Sequence, residues 1–287
     1  MPGRIVPAAL LVSLMIAAPA SADVFTFSTN GPDGLMAMAS RPSDAGKVEI
    51  EAADDFIVNS PVQINGATFT GLLTGNATPA DVSRVIVEIY RVFPKDSTDP
   101  PSGNVPTRAN SPSDVEFLDR QTGNGNLSFT TSVLNGAFTA QNSVLNGINK
   151  KPNQNTLGEG PVRGTEVQFN VTFTTPITLP ADHYFFVPQV GLSTADNFFW
   201  LSAPKPIVPP GTPFSPDLQA WIRNEPLQPD WLRVGTDIVG GNPAPQFNAA
   251  FSLDGVGVPE PSSLVLLGTG TVVLLGGLSR RFRRQGA

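Results

Sequence analysis

Apolar and polar residues alternate with period two along much of this chain, most clearly from Glu166 to Thr174. Val167, Phe169, Val171 and Phe173 fall on one side of that run and polar residues on the other, which predicts a strand with one wet face. The run from Ser83 to Arg91 is different. Val85, Val87 and Ile89 share one face, while Arg84, Ile86, Glu88 and Tyr90 share the other. Further strands are expected at 24–28, 47–58, 62–73, 183–192, 197–202, 218–223 and 246–253. Between residues 23 and 257 no stretch sustains a 3.6-residue period with caps. Many short strands separated by Gly, Pro and Asn turns predict an all-β fold, a single β-sandwich or jelly-roll-like body.

Three stretches break the alternation. Pro94 to Ser113 reads as a long Pro- and Ser-rich loop, and residues 204–216, with six prolines, as a rigid one. Gln121 to Gly164 is rich in Asn and Gly and reads as an insertion between strands or a hairpin pair, with a passive surface loop as its default role. It holds a small repeat, Ser132-Val133-Leu134-Asn135-Gly136 and Ser143-Val144-Leu145-Asn146-Gly147. Two copies are too few for a solenoid.

Composition sharpens this picture. With 287 residues and no Cys, the chain has no disulfide framework, no cysteine-ligated zinc and no thiol nucleophile. A chain of this length can bury ~70% of its unfolded surface, so burial can replace staples. The net charge of −6 conceals a division. Five of the 18 basic residues lie in the two ends, and residues 23–261 hold 13 basic against 24 acidic residues, a net −11. Phosphate backbones would repel such a body, so nucleic-acid binding is disfavoured.

Both ends have the look of targeting segments. Residues 1–22 combine Arg4, an apolar core of about 12 residues and a small-residue end, Ala20-Ser21-Ala22, in the A-x-A pattern of a secretory signal peptide. Cleavage is expected after Ala22, with Ala20 and Ala22 as the recognised small residues. An uncleaved membrane anchor is the alternative, though the core is short of the ~20 residues of a comfortable span. At the other end Val258-Pro259-Glu260-Pro261 is followed by an apolar run from Leu264 to Leu278, then by Arg280, Arg281, Arg283 and Arg284. Fifteen residues at ~1.5 Å each reach about 22 Å, a thin transmembrane helix that snorkelling arginines can extend. The arginines act as a membrane stop and hold that end in the cytoplasm. The body then lies outside.

A Pro-Glu-Pro motif, a thin span and an arginine cluster, in that order over residues 258–284, resemble the PEP-CTERM sorting signal. The resemblance implies an exported protein of a Gram-negative-type bacterium, held transiently in the inner membrane and processed by an exosortase, a membrane-embedded transpeptidase-like enzyme. It implies a destination at the cell surface or in the extracellular polysaccharide matrix. Pro259, Glu260 and Pro261 are the sorting motif on this likeness. Prolines on both sides of Glu260 prevent helix continuation and keep the segment extended, fit for a processing groove. Many proteins with this tail also carry an Ala-Asp-Asp-Phe stretch like Ala53-Asp54-Asp55-Phe56 ahead of a strand. The tail gives a destination and no activity. The domains expected are a signal peptide at 1–22, a β-sandwich body at 23–257 and the sorting signal at 258–284.

The body offers little chemistry. Its one histidine, His183, opens an aromatic strand, and no G-x-S-x-G elbow accompanies it. Asp54 and Asp55 are adjacent, so on a strand they face opposite ways, and an edge or turn network is their expected place. Calcium is the one cofactor left open, through Asp96 and Asp99 or through Asp54 and Asp55, without a D-x-D-x-D-G loop. Trp221 and Trp231 flank Pro-rich polar segments and could offer flat faces to sugar rings, while Trp200, after Phe198-Phe199, reads as core. The expectation is a non-enzymatic structural or glycan-binding protein of the exopolysaccharide layer. A secreted polysaccharide hydrolase would instead need an Asp or Glu pair ~5–9 Å apart in a cleft. A tail-anchored periplasmic protein would keep residues 264–278.

Overall fold

The structure is a computed structural model that describes residues 23–44, 46–98, 104–148, 155–204 and 218–258. The expected signal peptide, the sorting motif with its span and arginines, and the proline-rich loop at 205–216 lie outside the described residues. Among the described residues no helix is long and apolar enough to cross a membrane.

Strands dominate, in two sheets. In chain order they are β1 (Val24–Ser28), β2 (Met36–Ala39), β3 (Ile50–Val58), β4 (Val62–Thr74), β5 (Val82–Arg91), β6 (Leu118–Gln121), β7 (Ser128–Ala140) and β8 (Asn142–Val144). There follow β9 (Val162–Leu179), β10 (Asp182–Leu192), β11 (Phe198–Ala203), β12 (Trp221–Asn224), β13 (Leu232–Arg233), β14 (Asn248–Ala249) and β15 (Phe251–Gly257). The six-stranded sheet runs β13-β12-β3-β10-β5-β6. The nine-stranded sheet is organised around β4. One edge of β4 pairs with β9, which carries β7 beyond it. The other edge is shared by β15, over 62–69, and β11, over 71–73.

The chain switches partner at Ala250. β14 pairs with β11 and β15 with β4, and Ala250 joins the two by donating to the Leu201 carbonyl and accepting from the Thr70 amide. The Trp200 indole N–H also donates to the Ala250 carbonyl, at 2.9 Å. β15 is fastened at its far end as well. Gly257 N–H donates to Asp23, at the start of the described chain, and Val258 N–H donates to Pro61.

Between the sheets lies an aromatic core. Phe69 stacks on Phe169 at 4.8 Å within the larger sheet, and Phe186 of β10 stacks on Phe251 of β15 at 5.0 Å across the gap. Phe27 of β1 meets Phe56 of β3 at 5.9 Å. Trp200 is fully buried among them, as its sequence neighbours suggest. Each such ring contributes about 1.5–3 kcal/mol by leaving water, which suits a chain without disulfides.

Two readings need correction. Within 121–164 the passive-loop role fails and the hairpin alternative is the nearer one, because β7 forms a 13-residue antiparallel strand on β9. Its Ser, Thr, Asn and Gly content reflects an edge position with most side chains in solvent, and two bulges absorb Leu134, Gly136 and Ala137. Asp54 and Asp55 are not on an edge either. β3 is flanked by β12 and β10, and both carboxylates are fully buried.

Phe186 bridges the sheets, so Phe186→Ala is expected to cost about 3–5 kcal/mol in urea unfolding. Val133→Ala, on the edge strand β7 with 54% exposure, is expected to stay within ~0.5 kcal/mol. Equal losses at the two sites would show that the inter-sheet aromatics do not hold the fold.

Candidate functional site

The inner face of the six-stranded sheet meets the aromatic core. Its outer face is covered as well, by residues 104–117 and by the turn between β12 and β13, around a smaller apolar cluster of Ala53, Tyr90, Phe185, Val187, Leu218, Trp221 and Trp231. The charged residues of that face are therefore trapped between layers.

Strand register puts Glu51 of β3 directly opposite Arg223 of β12. The guanidinium takes both oxygens of Glu51, with Nη2 2.9 Å from Oε1 and Nε on Oε2. Nη2 also donates to the Tyr90 hydroxyl at 2.9 Å, and Nη1 to the Asp114 carbonyl at 3.0 Å. Trp231 lies under the same group, its ring centroid 4.3 Å from Cζ. The Tyr90 hydroxyl is 2.7 Å from Glu51 Oε1 and 3.2 Å from Glu88 Oε2. Gln189 Nε2 closes the cluster, 3.2 Å from Glu49 and 3.5 Å from Glu88.

Three carboxylates near one guanidinium cannot all ionise cheaply. Burial first, then the charges of Glu51 and Glu49, push Glu88 well above the usual carboxylate range. Burial and the Glu51 charge also raise Glu49, partly offset by its bond from Gln189. For Arg223 burial works against the charge, but Glu51 and Tyr90 outweigh it and the guanidinium is held above its ordinary value. Burial and the neighbouring Glu51 likewise push the Tyr90 phenol well up. Arg223 thus grips Glu51 by both oxygens, and Glu88 is the acid pushed toward its protonated form.

A second ion cluster pins the covering loops. Arg108, buried, reaches Asp114 at 2.6 Å and Asp230 at 3.0 Å, with Ser111 at 3.2 Å and Phe93 below the guanidinium. Residues 104–117 are thereby tied to the turn before Trp231, whose indole N–H donates to the Ser113 carbonyl at 3.1 Å.

The residues singled out from the sequence fall as follows. Trp221 and Trp231 are 2% and 0% exposed, so neither offers a ring face to sugar. Their polar neighbours suggested exposure, but Arg223 and Asp230 are themselves buried, paired with Glu51 and Arg108, and the half-buried Arg233 is paired with Asp237. Trp221 sits at the base of a hollow of about 210 Å³ beside Asn110, Gln219 and Gln246. His183 Nε2 lies 2.7 Å from Asp55 Oδ2, while Asp55 Oδ1 accepts the Leu218 amide at 3.1 Å. That arrangement ties β10 and β3 to the start of the β12 segment. Asp54 Oδ2 accepts the Ala249 amide at 2.7 Å on the opposite side of β3. Asp96 is paired with Arg91, and Asp99 lies outside the described residues. Among the described residues no three His, Cys, Asp or Glu gather as metal ligands.

Hydrolysis of a glycosidic bond needs two carboxylates roughly 5–9 Å apart with the sugar between them. Glu51 and Glu88 instead meet on one phenol oxygen, and Arg223 occupies both oxygens of Glu51. The cluster's signal in the sequence is faint. Glu88 and Tyr90 share a face of one strand, but Glu51 and Arg223 join them from 37 and 135 residues away from Glu88 in the chain.

Comparison with known proteins bears on the other end of the chain. Residues 257–284 match the family model of the PEP-CTERM protein-sorting motif. The match indicates an extracellular protein that is exported and sorted at the membrane by an exosortase. No curated protein sequence matches the chain.

Arg223→Met strands a buried carboxylate and is expected to cost about 3–5 kcal/mol, with Glu51→Gln in the same chain restoring part of the loss. Glu88 has its proton affinity raised by folding, so stability should fall as pH rises above the ordinary Glu value of about 4.3. Glu88→Gln should flatten that fall. Thermal unfolding curves for the two proteins should diverge as pH rises; parallel curves from pH 4 to 9 would contradict the assignment.

Proposed function

We propose that the chain is a surface protein of a Gram-negative-type bacterium whose body, residues 23–257, does non-catalytic work in the exopolysaccharide layer, as a structural or glycan-binding component. The observation that carries this reading is the sorting-motif match at 257–284. Export by the segment 1–22, a transient stay in the inner membrane and release at Pro259-Glu260-Pro261 by an exosortase complete the route. The non-catalytic reading is supported by the state of the buried acids, whose oxygens are engaged by Arg223, Tyr90 and backbone amides rather than presented to a cleft. The acidic excess of the body favours neutral glycans over polyanions, which like charge would repel.

Intact mass decides the route. Protein from the surface and medium of the native host should begin at Asp23 and end near Glu260, and that form should vanish in a host lacking its exosortase. Retention of Arg280 to Arg284 in both strains would overturn the sorting route and favour a tail-anchored periplasmic protein.

A further inference from the structure

The outer face of the nine-stranded sheet has a chemistry of its own. β1, β15, β4, β9 and β7 lie side by side, and their register aligns outward residues into rows across all five strands. Ser28, Ser252, Thr68, Asn170 and Thr130 make one such row. The row on one side runs from Thr26 to Ser128 and holds the one charge of the array, Asp254. On the other side Thr70, Gln168 and Ser132 align. The alternate residues Phe27, Phe69, Phe169 and Phe251 are buried in the core, so the hydroxyls and carboxamides are the side that faces out.

A hollow of about 250 Å³ lies within this array, with walls from Ser28, Asn30, Thr68, Thr70, Gln168 and Ser252. Its origin is the partner switch at Ala250. β15 begins only at Phe251, β1 ends at Ser28, and the small Ala250 side chain leaves the surface above Thr70 unfilled. At ~30 Å³ per water the hollow exceeds a single solvent site, and it has room for a sugar ring. Among the described residues no charged side chain lines it.

Hydroxyls and carboxamides each donate and accept, as do the hydroxyls of a sugar. They stand on paired strands, so little order remains to be imposed on binding. The Thr68 and Ser252 hydroxyls are already held together at 2.6 Å. A polyanion would meet an acidic body, and an apolar partner would find only Ala250 and Phe251 in the lining, both buried. We propose that this hollow and the rows around it are the contact surface for a neutral polysaccharide chain, with one ring seated between Thr68, Gln168 and Ser252 and the chain lying across the strands. The proposal rests on the glycan-binding form of the function proposed above.

The test uses the full-length chain in mild detergent, run in native gels containing dextran, amylose or alginate and mixed with microcrystalline cellulose. The wild type should be held by at least one neutral polymer. Thr68→Val with Ser252→Ala, and separately Asn170→Asp, should weaken that binding about tenfold or more while thermal unfolding stays unchanged. Thr130→Ala, at an exposed position, is a milder variant that should weaken it less, and Glu116→Gln on the opposite sheet's covering loop should not alter it. Undiminished binding by the Thr68, Ser252 and Asn170 variants would overturn the site and leave glycan binding in place. Retention by alginate alone would overturn the neutral class. No retention by any of the four polymers would overturn both the site and glycan binding, leaving the sorting route untouched.

Discussion

A sheet covered on both faces has no wet side on which to place polar residues. That constraint governs the six-stranded sheet. Its inner face is given to aromatic packing, and the outer face lies under residues 104–117 and the turn between β12 and β13. Every charge on that outer face must find a partner there, because an isolated buried ion costs several kcal/mol. Glu51 finds Arg223, Arg108 finds Asp114 and Asp230, and Asp55 finds His183 and a backbone amide. These pairings cross between strands and loops, so they fix which loop lies over which strand. The covering layer is held by geometry and charge as much as by apolar area.

The nine-stranded sheet resolves the same problem in the opposite way. Its inner face supplies phenylalanines, and across β1, β15, β4, β9 and β7 its outer face carries rows of Ser, Thr, Asn and Gln with the acid Asp254 among them. The two sheets therefore divide the labour of the body. One is committed on both sides to stability, and the other keeps a broad side free. An acidic protein whose free side is nearly uncharged can approach an uncharged polymer without long-range repulsion, while its remaining surface keeps copies apart.

How much of this was legible depends on which sheet is asked. For β9 the alternation Val167, Phe169, Val171, Phe173 against Gln168, Asn170, Thr172 states the answer outright, because one side is wet and period two survives. In β5 both sides are covered, and Ile86 and Tyr90 opposite Val85, Val87 and Ile89 hint at it without saying what lies above. The tryptophans were misjudged for that reason. Residues around Trp221 and Trp231 are polar because they form buried pairs with partners far along the chain, and a linear reading sees only the polarity. β7 was legible only as an arm of a hairpin within 121–164 for the converse reason, since a strand on a sheet's edge needs few apolar residues. The sorting motif was readable from the sequence, because its signal is a linear one.

The fastening of β15 has a mechanical meaning. The strand leads directly into the segment that carries the sorting motif, and it lies between β1 and β4 with hydrogen bonds on both sides. A pull on Val258 along the axis of β15 loads those two ladders in shear, so the bonds bear the force together rather than opening one after another. The first residues to feel that pull include Gly257 and Val258, whose amides are clipped to Asp23 and Pro61. Such a junction yields abruptly at high tension and hardly at all below it, which is the behaviour of a tether rather than a zipper.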